Sequence, residues 1–150
     1  MGNMAGWSLA LVGLSFLVVG CAAAKRPDNL GVKDGQLAPC PNSPNCVSSQ
    51  ESRDGKKVEP IALGNDADAG WTRLKRVVIG MDRVTVIADE SDYLHVEFRT
   101  KLMKFVDDVE LYRAPGAKVA HIRSASREGY SDLGVNKKRV KAIQKAFKGS

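Results

Sequence analysis

Between Arg83 and Arg123 the chain repeats one pattern, in which apolar and polar residues alternate within short runs that turn-forming residues separate. Alternation with a period of two is typical of β-strands that bury one face, and connections of a few residues join antiparallel neighbours. The pattern therefore predicts an antiparallel meander. Its expected strands are Arg83–Ala88, Tyr93–Arg99, Phe105–Tyr112 and Lys118–Arg123.

Two helical patterns flank this meander, and Asn65, Asp66 and Asp68 can cap the first of them. The apolar stripe of the first is Trp71, Leu74, Val78 and Met81, and that of the second is Val140, Ile143 and Phe147. Gly80 is expected to end the first helix, and the second is expected to begin between Leu133 and Asn136. Val58–Ala62 predicts a short extra edge strand. Both helices should pack on the apolar sheet face, giving a two-layer α+β domain with four to five strands.

The second sheet face is expected to be polar and open to solvent or a partner. Hairpins centred on Leu102–Met103 and Pro115–Gly116 predict its cross-strand pairs, which are Glu97 with Asp108, His95 with Glu110, Asp108 with Arg123, and Glu110 with His121. The face then carries Tyr93, His95, Glu97, Arg99, Asp108, Glu110, Tyr112, His121 and Arg123. Such a set fits a solvated face with ion pairs, or general acid–base or metal chemistry.

Asp107 is the exception to this pattern, because alternation turns its side chain towards the core. A buried carboxylate needs a polar partner. We expect that partner to be Ser124 or a basic residue of the last helix.

The first 20 residues contain no Lys, Arg, Asp or Glu. The uncharged run Trp7–Val19 is shorter than a membrane-spanning helix and fits the apolar core of a signal peptide. Val18-Val19-Gly20-Cys21 resembles the lipobox of bacterial lipoproteins. We therefore expect residues 1–20 to be a signal peptide, Cys21 to be acylated, and the lipid to hold the protein on a membrane.

No Lys or Arg precedes Trp7, which departs from the lipoprotein pattern and leaves an uncleaved membrane anchor as the alternative. Ala22 after the cysteine indicates a cell-envelope location at the outer membrane, facing the periplasm. Residues 21–36 are polar and aperiodic, so the sequence predicts a flexible tether there and a single domain over residues 37–150.

Cys40 and Cys46 enclose a short loop rich in Pro, Asn and Ser. In an oxidising compartment, cysteines this close should form a structural disulfide. Free thiols are one alternative, and a metal or redox role is the other. Redox pairs more often have the spacing Cys-x-x-Cys, and zinc would need two further ligands.

The connection Arg123–Asn136 leads from the last strand to the start of the last helix. Backbone amides at a helix start, together with arginine, can bind an anion. The candidate residues are Arg123, Ser124, Ser126, Arg127, Tyr130 and Asn136. We expect Arg127 to face the ligand and Arg123 to pair with Asp108. The alternative is a structural connection, in which the hydroxyls satisfy local backbone groups and the arginines pair with Asp107 or Asp108.

Three blocks of sequence identify a family resemblance. They are CPNSPNCVSS at Cys40–Ser49, FVDDVE at Phe105–Glu110 and RSASREGYSDLGVNKKRV at Arg123–Val140. Together the blocks resemble the domain-of-unknown-function 1499 family (DUF1499), which occurs in bacteria and in plastid-bearing organisms. The resemblance spans about Leu37 to Phe147 and implies no particular activity.

The formal net charge of +6 favours anionic partners such as lipid headgroups, phosphorylated glycans or acidic proteins. The sequence shows no recognition-helix motif and indicates neither a nucleic acid, a cofactor nor a metal.

The sequence favours a non-catalytic, lipid-anchored binder of an anionic or envelope component. One alternative is a hydrolase using His95, His121, Asp108 and Glu110, although no known catalytic motif supports it. The other is a structural protein that docks a partner on the open sheet face.

Overall fold

The computed structural model describes residues 24–150. The predicted signal peptide and Cys21 lie outside the described residues. The elements are β1 (Val32–Lys33), β2 (Gln36–Leu37), β3 (Cys46–Ser48), β4 (Ile61–Ala62), α1 (Ala67–Ile79), β5 (Val84–Asp89), β6 (Tyr93–Arg99), β7 (Val106–Tyr112), β8 (Val119–Ser126) and α2 (Val135–Lys148). The predicted α+β class, the meander and both helices are confirmed.

Strands β3, β8, β7, β6 and β5 lie side by side in that order, and β4 also pairs with β8. Every pair of named strands is antiparallel, and β1 and β2 form a separate hairpin. The sheet is therefore open, with β3 at the edge where the sequence analysis found no strand.

Both helices pack on one face of the sheet, as predicted. Asp66 begins α1 by accepting hydrogen bonds from the Asp68 and Ala69 amides, and Trp71, Leu74 and Val78 of that helix are buried. From α2 the core receives Val140, Ile143 and Phe147, and from the sheet it receives Leu94, Val96, Phe98, Val109, Leu111, Ala120 and Ile122. The predicted buried partner of Asp107 is Arg139 of α2, which donates a hydrogen bond to it.

The register between β6 and β7 is as predicted, with His95 opposite Glu110 and Glu97 opposite Asp108. The predicted register between β7 and β8 is wrong by two residues, because Glu110 lies opposite Arg123 and Asp108 lies opposite Ala125. The Ala117 amide closes the turn onto the Ala114 carbonyl as expected.

The connection between β7 and β8 is longer than the two-residue hairpin that the sequence suggested, because residues 113–120 separate the first pair of the ladder. Val119 and Ala120, the first residues of β8, pair with Ala62 and Ile61 of β4. The Lys118 carbonyl accepts a hydrogen bond from Leu63. These contacts lie on the edge of β8 that also carries β3, and the ladder with β7 on the other edge starts at His121, which lies opposite Tyr112.

The second sheet face is not open, which corrects the sequence prediction. Residues 24–37, which we call the amino-terminal strap, lie over it, although the sequence suggested a flexible tether as far as residue 36. Leu37 packs against Tyr93 and Tyr112, and Gly31 donates its amide hydrogen to Glu110. Isolated polar contacts of this kind leave no periodic signal, so sequence patterns did not reveal them.

Cys40 and Cys46 form a disulfide, with their Cα atoms 5.6 Å apart, as predicted. Both cysteines are buried against Ala125 on the face that the strap covers. The bridge therefore joins the end of the strap to the edge strand β3.

Removing this bridge should lower stability without changing the fold. Cys40→Ser is expected to reduce the free energy of unfolding by about 2 kcal/mol, because an open chain gains loop entropy when it unfolds. Urea denaturation under oxidising conditions measures this difference. Cys46→Ser should cost the same amount. A wild-type protein whose urea midpoint does not respond to a thiol reductant would contradict the structural role.

Candidate functional site

The face beneath the strap carries charged side chains that are almost completely removed from solvent. Glu110 is 0% exposed, Asp108 1%, Glu97 5% and Arg123 5%. Charged groups are rarely buried to this extent unless they are paired. The arrangement is therefore an ionic network, and its pairing decides what the face can do.

One half of the network centres on Arg127, which extends from the end of β8. Its guanidinium donates to Asp108 through Nε at 2.8 Å and through Nη2 at 2.7 Å. The same Nη2 donates to Glu97 at 2.6 Å, and Arg26 of the strap donates to the same Glu97 oxygen at 2.6 Å. His95 Nε2 lies 2.7 Å from Asp108 Oδ1. Since an ionised carboxylate only accepts, this His95 nitrogen carries the hydrogen.

The other half centres on Glu110. Tyr93 donates its hydroxyl hydrogen to Oε1 at 2.8 Å, and Arg123 Nη1 donates to Oε2 at 3.0 Å. The Gly31 amide of the strap also donates to Oε1, at 2.8 Å. Glu110 thus accepts hydrogen bonds from the two neighbouring strands, β6 and β8, and from the strap.

The network keeps Asp108 and Glu97 ionised. Burial alone would raise the pKa of Asp108, but hydrogen bonds from Arg127 and His95 outweigh burial and hold that pKa below its ordinary value. The pKa of Glu97 is lowered in the same way by Arg26 and Arg127. Hydrogen bonds from Asp108 and Glu97 raise the pKa of Arg127 despite its partial burial. Burial and the neighbouring Glu110 raise the pKa of Tyr93, so its hydroxyl stays protonated.

A cleft of about 350 Å³ opens between the strap and this network, lined by Pro27, Pro39, Asp108, Arg123 and Arg127 among others. Arg123 Nε is buried there and has no hydrogen-bond partner among the described residues. A buried donor without an acceptor is costly and rare in native proteins. Arg123 therefore lines the cleft and has one buried donor, Nε, that no described residue satisfies.

In the structure both arginines have internal carboxylate partners. Arg127, expected to face a ligand, has Asp108 and Glu97 as partners and a side chain only 6% exposed. Arg123, expected to pair with Asp108, pairs with Glu110 instead. The two-residue shift in the β8 register explains why Arg123 has a different partner, because it moves Arg123 from opposite Asp108 to opposite Glu110.

At the start of α2, where the sequence suggested an anion site, the structure places a carboxylate of the protein itself. Asp132 accepts the amide hydrogens of Gly134 at 3.0 Å and Asn136 at 2.7 Å, so an internal carboxylate already occupies this helix start. Ser124 donates to Asn136 Oδ1 at 2.6 Å.

The remaining polar atoms of this connection are also engaged. The side-chain amide of Asn136 donates through Nδ2 to Ser126 Oγ at 2.8 Å and to the Asn45 backbone carbonyl at 3.0 Å. Tyr130 points outward and is 77% exposed. Ser124, Ser126 and Asn136 thus have the structural role that the sequence analysis gave as the alternative.

The residues suggested for hydrolysis do not converge. His95 pairs with Asp108, whereas His121 lies 3.2 Å from Ser49 Oγ and opposite Tyr112. Burial lowers the pKa of His121. Glu110 is bound by Tyr93 and Arg123. Within residues 24–150, no group of three or more His, Cys, Asp or Glu side chains is placed to hold a metal ion.

A family model described as a protein of unknown function (DUF1499) matches residues 36–147. The chain belongs to the DUF1499 family. Neither the curated proteins nor the solved structures include a match to it. The DUF1499 match covers the disulfide loop, the sheet and both helices. It begins at β2, the last strand of the strap, so Arg26 and Gly31 precede it.

Sequence reasoning missed two contributions to the DUF1499 site, those of Arg26 and Gly31. Both lie in the strap, where no apolar periodicity exists, and Gly31 contributes only its backbone amide. No helix in the part of the chain from residue 24 onwards is both long and apolar enough to cross a membrane.

Arg26 and Arg127 donate to the same Glu97 oxygen, but they should contribute differently to the free energy of unfolding. Arg127→Ala leaves Asp108 without its guanidinium partner in a buried site, and this should reduce the free energy of unfolding by about 3–5 kcal/mol. Arg26 is 47% exposed and leaves Glu97 still paired with Arg127. Arg26→Ala should therefore cost under about 1 kcal/mol. Denaturant titration of the two variants measures the difference, and equal losses would contradict the pairing described here.

Stability should also fall in acid. Because the folded-state pKa values of Glu97 and Asp108 lie below their ordinary values of 4.5 and 3.8, their contribution is present above those values. It is lost as the pH falls through the lower folded-state values. Asp108→Asn should show a shallower loss of stability below pH 3.8 than wild type. Thermal unfolding across this range tests the prediction, and equal slopes would contradict it.

Proposed function

We propose that this DUF1499 protein is a periplasm-facing envelope lipoprotein that binds a small anionic group in the cleft beneath its strap, without catalysing a reaction. Acylated Cys21 would hold it on the membrane, and Arg123 would bind the anion. The observation that carries the binding proposal is the buried Arg123 Nε donor in the cleft.

The chemistry of this donor selects an oxygen acceptor. Arginine presents its hydrogens in a planar fork that matches the oxygens of a carboxylate or a phosphate group. Arg123 uses Nη1 to bind Glu110, which fixes the guanidinium and leaves Nε directed elsewhere. Because Nε is buried, a ligand oxygen would reach it only after the covering atoms move, and it would then meet a guanidinium that Glu110 already orients.

The surrounding charges favour a modest affinity for anions. They also favour an anion that carries a hydrogen-bond donor of its own. Asp108 and Arg127 line the same cleft as Arg123. Asp108 would repel a second negative charge but would accept a hydrogen bond from a hydroxyl or amino group. A hydroxy acid, an amino acid or a phosphate ester combines the two features, whereas a strongly charged polyanion does not.

The absence of converging groups supports binding over hydrolysis. Among the described residues, the carboxylates Glu97, Asp108 and Glu110 each bind an arginine. General acid–base catalysis needs a group whose proton can move to and from a substrate. A network held ionised by neighbouring guanidinium groups is better suited to orienting a ligand.

The Arg123 donor can be tested directly with inorganic phosphate and acetate as probes. In the wild-type protein, either anion is titrated at constant ionic strength. The Arg123 Nε–Hε signal in a nitrogen-15 NMR spectrum should shift and reach a plateau at high anion concentration. Arg123→Lys keeps the positive charge but lacks Nε, so binding should weaken at least about tenfold. Chloride titration supplies the baseline.

Arg139→Lys is the matched control, because Arg139 also binds a buried carboxylate, Asp107, but on the helix-covered face. That variant should bind the probes as wild type does. No saturable shift in the wild-type protein, or equal binding by the Arg123→Lys variant, would contradict the anion site.

A further inference from the structure

We propose that the domain docks with one end against the anionic bilayer surface that anchors it. That end, which we call the apolar end, comprises the exposed side chains Leu102, Met103, Phe105, Tyr130 and Leu133. The proposal rests on the lipid anchor proposed above. It adds a defined membrane-contacting surface and therefore a defined orientation.

Exposure is concentrated at this end. Leu102 is 88% exposed, Leu133 85%, Tyr130 77% and Met103 66%. Among the described residues, the other exposed large apolar side chains are far less accessible, with Val86 at 42% and Ile79 at 37%. Side chains this large and this exposed in one region mark an interaction surface.

Two separate segments of the chain build the apolar end. Leu102 and Met103 lie in the turn between β6 and β7, which closes through the Thr100 amide and the Phe105 carbonyl at 2.9 Å. Tyr130 and Leu133 lie in the connection between β8 and α2. The two segments meet, because Phe105 and Leu133 line one cleft of about 250 Å³.

Two non-glycine residues at this end have an unfavourable backbone conformation. Leu133 has φ of 52° and Lys104 has φ of 58°, both in the left-handed region that favours glycine. A residue with a side chain costs energy in this region, and such outliers cluster at functional positions. At Leu133 the backbone is strained while its apolar side chain remains in solvent.

The path of the chain points to the membrane as the occupant. The Ala24 amide donates to Glu128 Oε1 at 3.1 Å, and Glu128 lines the same cleft as Phe105 and Leu133. Cys21 precedes Ala24 by three residues, which span at most about 11 Å when fully extended. A lipid on Cys21 would therefore place the bilayer beside the apolar end.

The charged side chains around the apolar end also fit an anionic bilayer. Lys101 and Lys104 are exposed and flank Leu102 and Met103 in the turn. Apolar side chains inserted at the headgroup boundary, with lysines attracted to anionic lipids, are the usual composition of a membrane-contacting surface. The acidic groups at this end are engaged internally, Glu128 by Ala24 and Asp132 by the start of α2.

The test uses the mature protein reconstituted in vesicles of phosphatidylethanolamine and phosphatidylglycerol, with or without bromine-labelled acyl chains. Bromine quenches tryptophan that lies at the acyl boundary. The reporter variant is Leu133→Trp, and its matched control is Val86→Trp, at an exposed position on β5. Trp71 is buried in both variants.

Brominated vesicles should reduce the added emission of Leu133→Trp about twofold or more and leave that of Val86→Trp unchanged. Adding Leu102→Asp to the reporter should restore its emission, whereas adding Ile79→Asp should not. Equal quenching of the reporter and the control, or no quenching of either, would overturn the docking. A dimer that Leu133→Asp dissociates, with no quenching, would assign the apolar end to a second copy and also overturn it.

Intact mass and vesicle flotation separate this failure from failure of the anchor. An acylated protein that floats with vesicles but shows no selective quenching contradicts the docking alone. A protein without acyl mass that stays off the vesicles contradicts the anchor, and with it the docking.

Discussion

The burial of three carboxylates on one sheet face is the constraint on which this structure depends. Glu97, Asp108 and Glu110 project from β6 and β7 onto the face away from the helices, and each would be costly there without a partner. Arg127 and Arg123 supply most of that pairing from β8, and the strap completes it with Arg26 and the Gly31 amide. The strap is therefore part of the fold, and the cleft between strap and network follows from it.

Sequence patterns predicted the elements well because burial against the helices imposes a strict period. The alternation of Leu94, Val96 and Phe98, and the stripe from Trp71 to Val78, place these residues in the apolar core. The inward position of Asp107 was predictable on the same argument, and so was a basic partner from α2. The disulfide followed from the spacing of Cys40 and Cys46.

The candidate site was less predictable because its geometry depends on contacts between distant segments. The polar residues were identified, but the longer connection between β7 and β8 shifts Arg123 by two residues relative to β7. That shift pairs Arg123 with Glu110, and Arg123 Nε is a buried donor without a hydrogen-bond partner among the described residues. The covered face was missed altogether, since the strap binds it through single polar groups. A contact such as that of the Gly31 amide leaves no trace in side-chain pattern.

The central claim is that the strap closes the carboxylate face, and hydrogen exchange of the Gly31 amide measures that closure most directly. This amide donates to Glu110, a residue that is 0% exposed. We expect it to exchange much more slowly than a free peptide amide and to accelerate in Glu110→Gln, which weakens the acceptor. Exchange of the Gly31 amide at the rate of an unstructured peptide in the wild-type protein would contradict the account.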